Sequence, residues 1–205
     1  MKVLSNIFGR SLVITGLIIL SVLGVNAQEC GIIYVTPNGA NAGAAGTKAN
    51  PASLTHAFTL ANANDNQMWM AVGDYNISNQ IDMIGGVTVE GGFDPTNNWI
   101  KTNSATTFIY RDNSNVTPVP DRIIGISCVG ITDFNLIDLR IEVEDAGGTG
   151  VTTYGIYLDA CSNYSLTRLK IKSGNGSTGI DGGPGADGVD GADGTNGNDG
   201  NECGN

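Results

Sequence analysis

The chain has 205 residues and a formal net charge of −10, with 20 Asp and Glu against 10 Lys and Arg, and it holds 30 glycines, four cysteines and one histidine. Such an acidic balance argues against nucleic acid or an anionic membrane surface as a partner. A single histidine and four scattered cysteines supply neither paired zinc ligands nor a Ser-His-Asp or Cys-His set.

Residues 1–27 read as a secretory signal peptide. Lys2 and Arg10 are its only charges, Ser11 to Val25 is apolar, and Val25-Asn26-Ala27 provides small residues for cleavage before Gln28. The apolar run is shorter than the ~20 residues of a membrane span, so an uncleaved anchor is the weaker reading. A lipoprotein reading fails, because Cys30 follows Ala27-Gln28-Glu29 and no small residue sits beside it. Cleavage removes two cations and no acid, moving the charge from −10 to −12. The expectation is a secreted or cell-surface protein with no membrane contact after cleavage and no nucleic-acid partner.

Residues 28–173 are strand-rich. Short β-patterned runs cover Ile32 to Val35, Met68 to Val72, Gly86 to Glu90, Thr106 to Tyr110, Ile123 to Ser127, Ile137 to Val143, Gly155 to Leu158 and Leu166 to Lys172. Asn, Gly, Asp and Pro separate them. One helix is predicted over 51–63, capped by Asn50, opened by Pro51 and carrying the apolar stripe Leu54, Ala57, Phe58, Ala61.

A repeat underlies the last four runs. At an offset of 30 residues Gly125-Ile126 meets Gly155-Ile156, Phe134 meets Tyr164, Leu136 meets Leu166, Leu139 meets Leu169 and Ile141 meets Ile171. Polar positions agree as well: Thr132 with Ser162, Asp133 with Asn163, Arg140 with Lys170. A fixed period in a β-patterned chain predicts stacked coils with side chains in ladders, hence an all-β parallel β-solenoid.

At these residues a family resemblance appears. Ile33-Tyr34-Val35, Gly46-Thr47-Lys48-Ala49-Asn50-Pro51-Ala52-Ser53-Leu54, Ala71-Val72-Gly73-Asp74-Tyr75-Asn76 and Val87-Thr88-Val89-Glu90-Gly91-Gly92-Phe93-Asp94 together resemble the start of a pectin-lyase-like protein of the exported Bacteroidetes type. The resemblance covers roughly residues 32 to 173. It implies a short right-handed parallel β-helix whose open end is capped by the helix after the Gly-Thr-x-x-Asn-Pro turn. It says little of activity, because one solenoid hosts lyases, hydrolases, adhesins and spikes. The Asn-Thr-Asp and Gly-His-Gly motifs of the family's hydrolases are missing, and no recognisable catalytic set remains.

The function expected is therefore a non-catalytic exported cell-surface or extracellular protein, engaged in adhesion or glycan contact with extracellular polysaccharide or cell-surface components. The alternatives are a polysaccharide lyase or glycoside hydrolase relative acting on acidic polysaccharide, and a collagen-like trimeric structural protein. The glycan-contact candidates are Trp99, read as exposed in a loop, Arg140 and Lys170, which share a register position on an outer face, and Tyr164, stacked on Phe134. Trp69, between Met68 and Met70, reads as part of an inward-facing segment, and His56 as a residue on the surface of the helix. Asp138 aligns with Arg168 as a cross-coil ion pair. Cys128 and Cys161 are disulfide candidates on adjacent coils, offset by three positions, with buried free thiols as the simpler alternative.

Residues 174–205 carry glycine at every third position from Gly176 to Gly200. The third place of each triplet is mostly acidic (Asp181, Asp187, Asp190, Asp193, Asp199, Glu202), with Pro184 its one proline and no cation. A collagen triple helix, making a homotrimer, would be feeble with that composition. A calcium-binding repeat lacks its nine-residue pattern, leaving only a weak expectation of calcium at the acidic tail and no other cofactor. A disordered acidic segment needs nothing further. In the 30-residue register it falls where Glu144 to Thr153 turns one coil earlier, so it also reads as an expanded turn of a solenoid continued elsewhere.

Overall fold

The computed structural model describes residues 31–62, 66–197 and 200. The signal peptide, Cys30, Cys203 and the end of the predicted helix at Ala63 lie outside the described residues. Among the described residues it shows a parallel β-solenoid of about four turns with a single α-helix.

Three parallel sheets form its sides. The first stacks β1 (Ile32–Ala40), β2 (Gln67–Ala71), β5 (Thr88–Asp94), β9 (Asn135–Ile137) and β12 (Ser165–Thr167). The second stacks β3 (Gly73–Ile77), β7 (Thr107–Arg111), β10 (Leu139–Val143) and β13 (Lys170–Lys172). The third stacks β4 (Ile81–Asp82), β8 (Arg122–Val129) and β11 (Thr152–Asp159). The short β6 (Ile100–Lys101) departs from this pattern, lying antiparallel on β5.

The 30-residue register is the pairing register. Leu136 faces Leu166, Arg140 faces Lys170, Ile141 faces Ile171 and Ile126 faces Ile156 across neighbouring coils. Alternation along each strand turns Met68, Met70, Val89, Ile109, Leu136 and Ile141 inward, where they form one core. Gly125 and Gly155 repeat for a steric reason. A Cβ on Gly125 would sit 2.6 Å from the Gly155 carbonyl oxygen, so only glycine lets these backbones stack.

Two runs expected as single strands, Ile137 to Val143 and Leu166 to Lys172, each break in two. Asp138 and Arg168 sit at the break in the left-handed region, φ 56° and 51°, and turn the chain from the first sheet to the second. Asp133 and Asn163 adopt the same conformation at the preceding corner, φ 63° and 50°, which accounts for the Asx residues matching there.

The helix is shorter than expected and is capped differently. α1 spans Leu54–Leu60, and the Ser53 hydroxyl, not Asn50, accepts the His56 amide at 3.2 Å. Its buried Leu54 and Ala57 join the core beside β1. The segment before it closes the edge of β1: the Tyr34 amide donates to the Gly46 carbonyl at 2.9 Å and the Ala40 amide to the Pro51 carbonyl at 2.9 Å.

Beyond Lys172 the described residues form neither helix nor strand and are mostly exposed. The first of them still follow the coil below. The Asn175 amide donates to Asp145 Oδ1 at 2.7 Å, and Thr149 bridges Thr178. The first residues of the glycine run thus pair with residues 145–151 of the coil below.

Candidate functional site

A groove of about 500 Å³ lies at the corner where the first sheet turns into the second. Lys101, Arg140, Arg168 and Lys170 line it, with Asp138 as the one acidic wall residue. Four of the ten Lys and Arg in an acidic chain therefore converge on one concavity. A second, smaller pocket of about 350 Å³ against the third sheet has a single cation, Arg122, beside Asp82.

Each wall follows from the fold. Arg140 and Lys170 are outward-facing partners on β10 and β13, so the ladder stacks them. Arg140 lies over the Phe108 ring, 4.4 Å from its centroid, and its guanidinium donates to Glu142 Oε2 at 3.0 Å. The aromatic face and the carboxylate together fix the plane of the fork. Lys170 forms no ion pair among the described residues.

Asp138 is the pivot. It takes two hydrogen bonds from Arg168, one of them at 2.8 Å from Nη2, and another from Lys101. Arg168 foremost, then Lys101, hold its carboxyl down to about 2, against a partial burial that pushes the other way. A carboxylate so acidic is a poor proton carrier near neutral pH, where a general acid or base needs a matching pKa. Lys101 also pairs with Glu90 at 2.7 Å.

Lys101 reaches the groove because of Trp99. That residue, expected in an exposed loop, is instead buried at 4 % exposure against Tyr34, ring centroids 4.7 Å apart. The reason is the outer face of the first sheet. Tyr34, Trp69 and Phe93 project outward there, Trp69 and Phe93 stacked at 4.4 Å, and they need a cover. Met68 and Met70 point inward as expected, whereas Trp69 between them does not. The loop after β5 folds back over these rings, seats Trp99 and pairs as β6. Trp99 therefore acts as an anchor for the loop that carries Lys101.

Tyr164 also lies apart from the groove. It stacks on Phe134 as expected, centroids 5.2 Å apart and planes 12° from parallel, on the last coil. Of the four glycan-contact candidates, the fold brings only Arg140 and Lys170 together. Lys101 gave no signal in the sequence, since it belongs to no repeated coil and depends on the loop fold. Arg168 was visible as the partner of Asp138.

Cys128 and Cys161 are not bonded. The offset places the Cys161 thiol against the Cys128 carbonyl oxygen, 3.1 Å away, and not against its sulfur. Burial, with a smaller contribution from the neighbouring Cys161, pushes the Cys128 thiol up to about 12, so it is an inert core group. His56 sits half-buried on α1 near Thr59, its Nε2 enclosed without a partner. Among the described residues no three His, Cys, Asp or Glu side chains converge as a metal site.

Fold and groove define the class: a helix-capped parallel β-solenoid with a cationic cleft on one outer corner. Comparison with family models, with curated proteins and with solved structures finds no match to this chain.

Proposed function

We propose that this chain is an exported, non-catalytic β-solenoid of the cell surface or extracellular space that contacts acidic polysaccharide through the corner groove. The observation carrying this reading is the convergence of Lys101, Arg140, Arg168 and Lys170 on one open cleft of an otherwise acidic protein. A planar, stacked Arg140 suits bidentate capture of a carboxylate or sulfate, and Lys170 adds a point charge on the next coil. Strands hold both side chains, so the spacing is set in advance and little ordering is needed on binding. The secretory pattern of residues 1–27 and the likeness of the first coils to pectin-lyase-like proteins support an extracellular setting.

The test is binding of the full chain to pectic and other acidic polysaccharides, with neutral glucans as controls and with and without calcium. Arg140→Ala combined with Lys170→Ala is expected to weaken binding at least tenfold while leaving the melting temperature nearly unchanged. Equal retention of neutral and acidic polymers would sink the reading. Release of unsaturated oligosaccharide would replace it with a lyase, the alternative in which a base removes the proton beside a uronate carboxylate as the glycosidic C–O bond breaks.

A further inference from the structure

The two ends of the solenoid differ, and among the described residues the C-terminal end is open. On the coil before the last, the ladder residues Phe134, Leu136 and Ile141 are 0 % exposed, as is Cys128 of the third sheet. Their counterparts one coil on, Tyr164, Leu166, Ile171 and Leu158, are 42, 38, 45 and 38 % exposed. The residue types are those of a core, yet nothing described lies above them. Backbone groups are open there too. The Ser165 amide donates downward to the Phe134 carbonyl at 3.0 Å, so alternation aims the Leu166 amide at the open side.

We propose that this end is a docking face for an extended β-segment that adds as a further coil, with apolar residues over Leu166 and Ile171 and carboxylates over Arg168 and Lys172. The apolar part continues an interface the molecule already builds coil on coil at one register. The acidic part follows from charge. Asp138 from below takes Arg168, and Glu142 takes Lys172 at 2.6 Å, but these cations remain 64 and 68 % exposed and rim the open face. Parallel addition of an edge strand is a known mode of peptide capture, with backbone bonds giving affinity and alternate side chains giving selectivity.

Other occupants fit worse. The glycine run offers only Ile180 and Val189 as large apolar side chains among its described residues, and both are exposed. In a second copy α1 already closes the N-terminal end. Its C-terminal end would bring a second rim of Arg168, Lys170 and Lys172 against the first and reverse the strand direction.

The probe is a synthetic peptide of residues 132–146, the coil that combines Phe134, Leu136 and Ile141 with Asp138 and Glu142. Added to the full chain, it should bind saturably and slow amide exchange at Leu166 and within β13. Leu166→Asp, at an already exposed site, should weaken binding at least tenfold, as should Asn and Gln in place of the peptide's Asp138 and Glu142. A scrambled peptide binding equally well, or no change in exchange, overturns the proposal. So does a dimer by sedimentation without peptide that already protects Leu166, which would assign the face to a second copy. Protection lost when residues 180–205 are deleted would assign it to the tail and overturn it likewise.

Discussion

The N-terminal end of the solenoid is closed by apolar packing, whereas the C-terminal coil is held largely by ladder pairing and surface charge. At the first coil α1 buries Leu54 and Ala57, and residues 45–53 complete the edge of β1. At the last coil Asp138, Glu142 and Asp145 reach up to Arg168, Lys172 and Asn175, and the apolar ladder ends in solvent. Stacked units lend stability to their neighbours, so the terminal unit that lacks a cap frays first. The contrast teaches where this protein can lose or gain a partner without unfolding.

The largest expected effect separates one ladder position on two coils. Leu136→Ala opens a cavity in the sealed core and should cost about 2–5 kcal/mol. Leu166→Ala, at the same place one coil later, should cost less than about 1 kcal/mol, because the side chain is already partly in water. Urea unfolding of both variants measures the difference. Equal losses would mean that the terminal coil is as well sealed as the one beneath it.

Glycines sharpen the same contrast at intermediate size. Gly125→Ala drives its Cβ into a backbone carbonyl and should cost about 1–3 kcal/mol through displaced strands. Gly155→Ala closes on side-chain atoms alone, chiefly Cγ2 of Ile171, whose side chain is 45 % exposed and can shift toward the open side, and should cost less. Thermal melts of the two variants decide it.

The periodic part of this architecture was legible in the sequence, because a ladder repeats residue types at a fixed offset. Gly125 with Gly155, Leu136 with Leu166 and Asp138 with Arg168 all mark real contacts. The first coils are less regular. β3 is missing from the β-patterned runs because Gly73-Asp74-Tyr75-Asn76 carries one large apolar residue, although the family resemblance included it; Tyr75 is buried and its hydroxyl donates to the Ala71 carbonyl at 3.0 Å. The helix cap was misplaced because Asn50 and Ser53 both suit the role, and the pairing of Ala52 with β1 delays the helix to Leu54. For the groove, Arg140 and Lys170 followed from register. Trp99 and Lys101 did not, since an Asn-rich loop gives no sign that it folds back over outward-facing rings.

Acid should loosen the last coil selectively, the smallest of the three effects. Asp138 is lowered to about 2, chiefly by Arg168; Glu142 is lowered by Lys172 first and Arg140 second; Asp145 is lowered first by the Asn175 backbone amide. A carboxyl depressed in the folded state contributes stability that is fully present above its unfolded value of ~4 and is lost as pH falls through the folded one. The window therefore runs from about pH 4 to about 2. All three bonds join the last coil to the one beneath it, and none touches α1. Amide resonances of residues 165–172 should broaden and shift across that window while those of 54–60 hold still, and Asp138→Asn should produce part of the change at neutral pH. Because the groups are partly exposed, added salt should weaken the same contacts modestly. Simultaneous movement of both ends would show that the last coil and the cap melt as one unit, and that charge does not set the boundary between them.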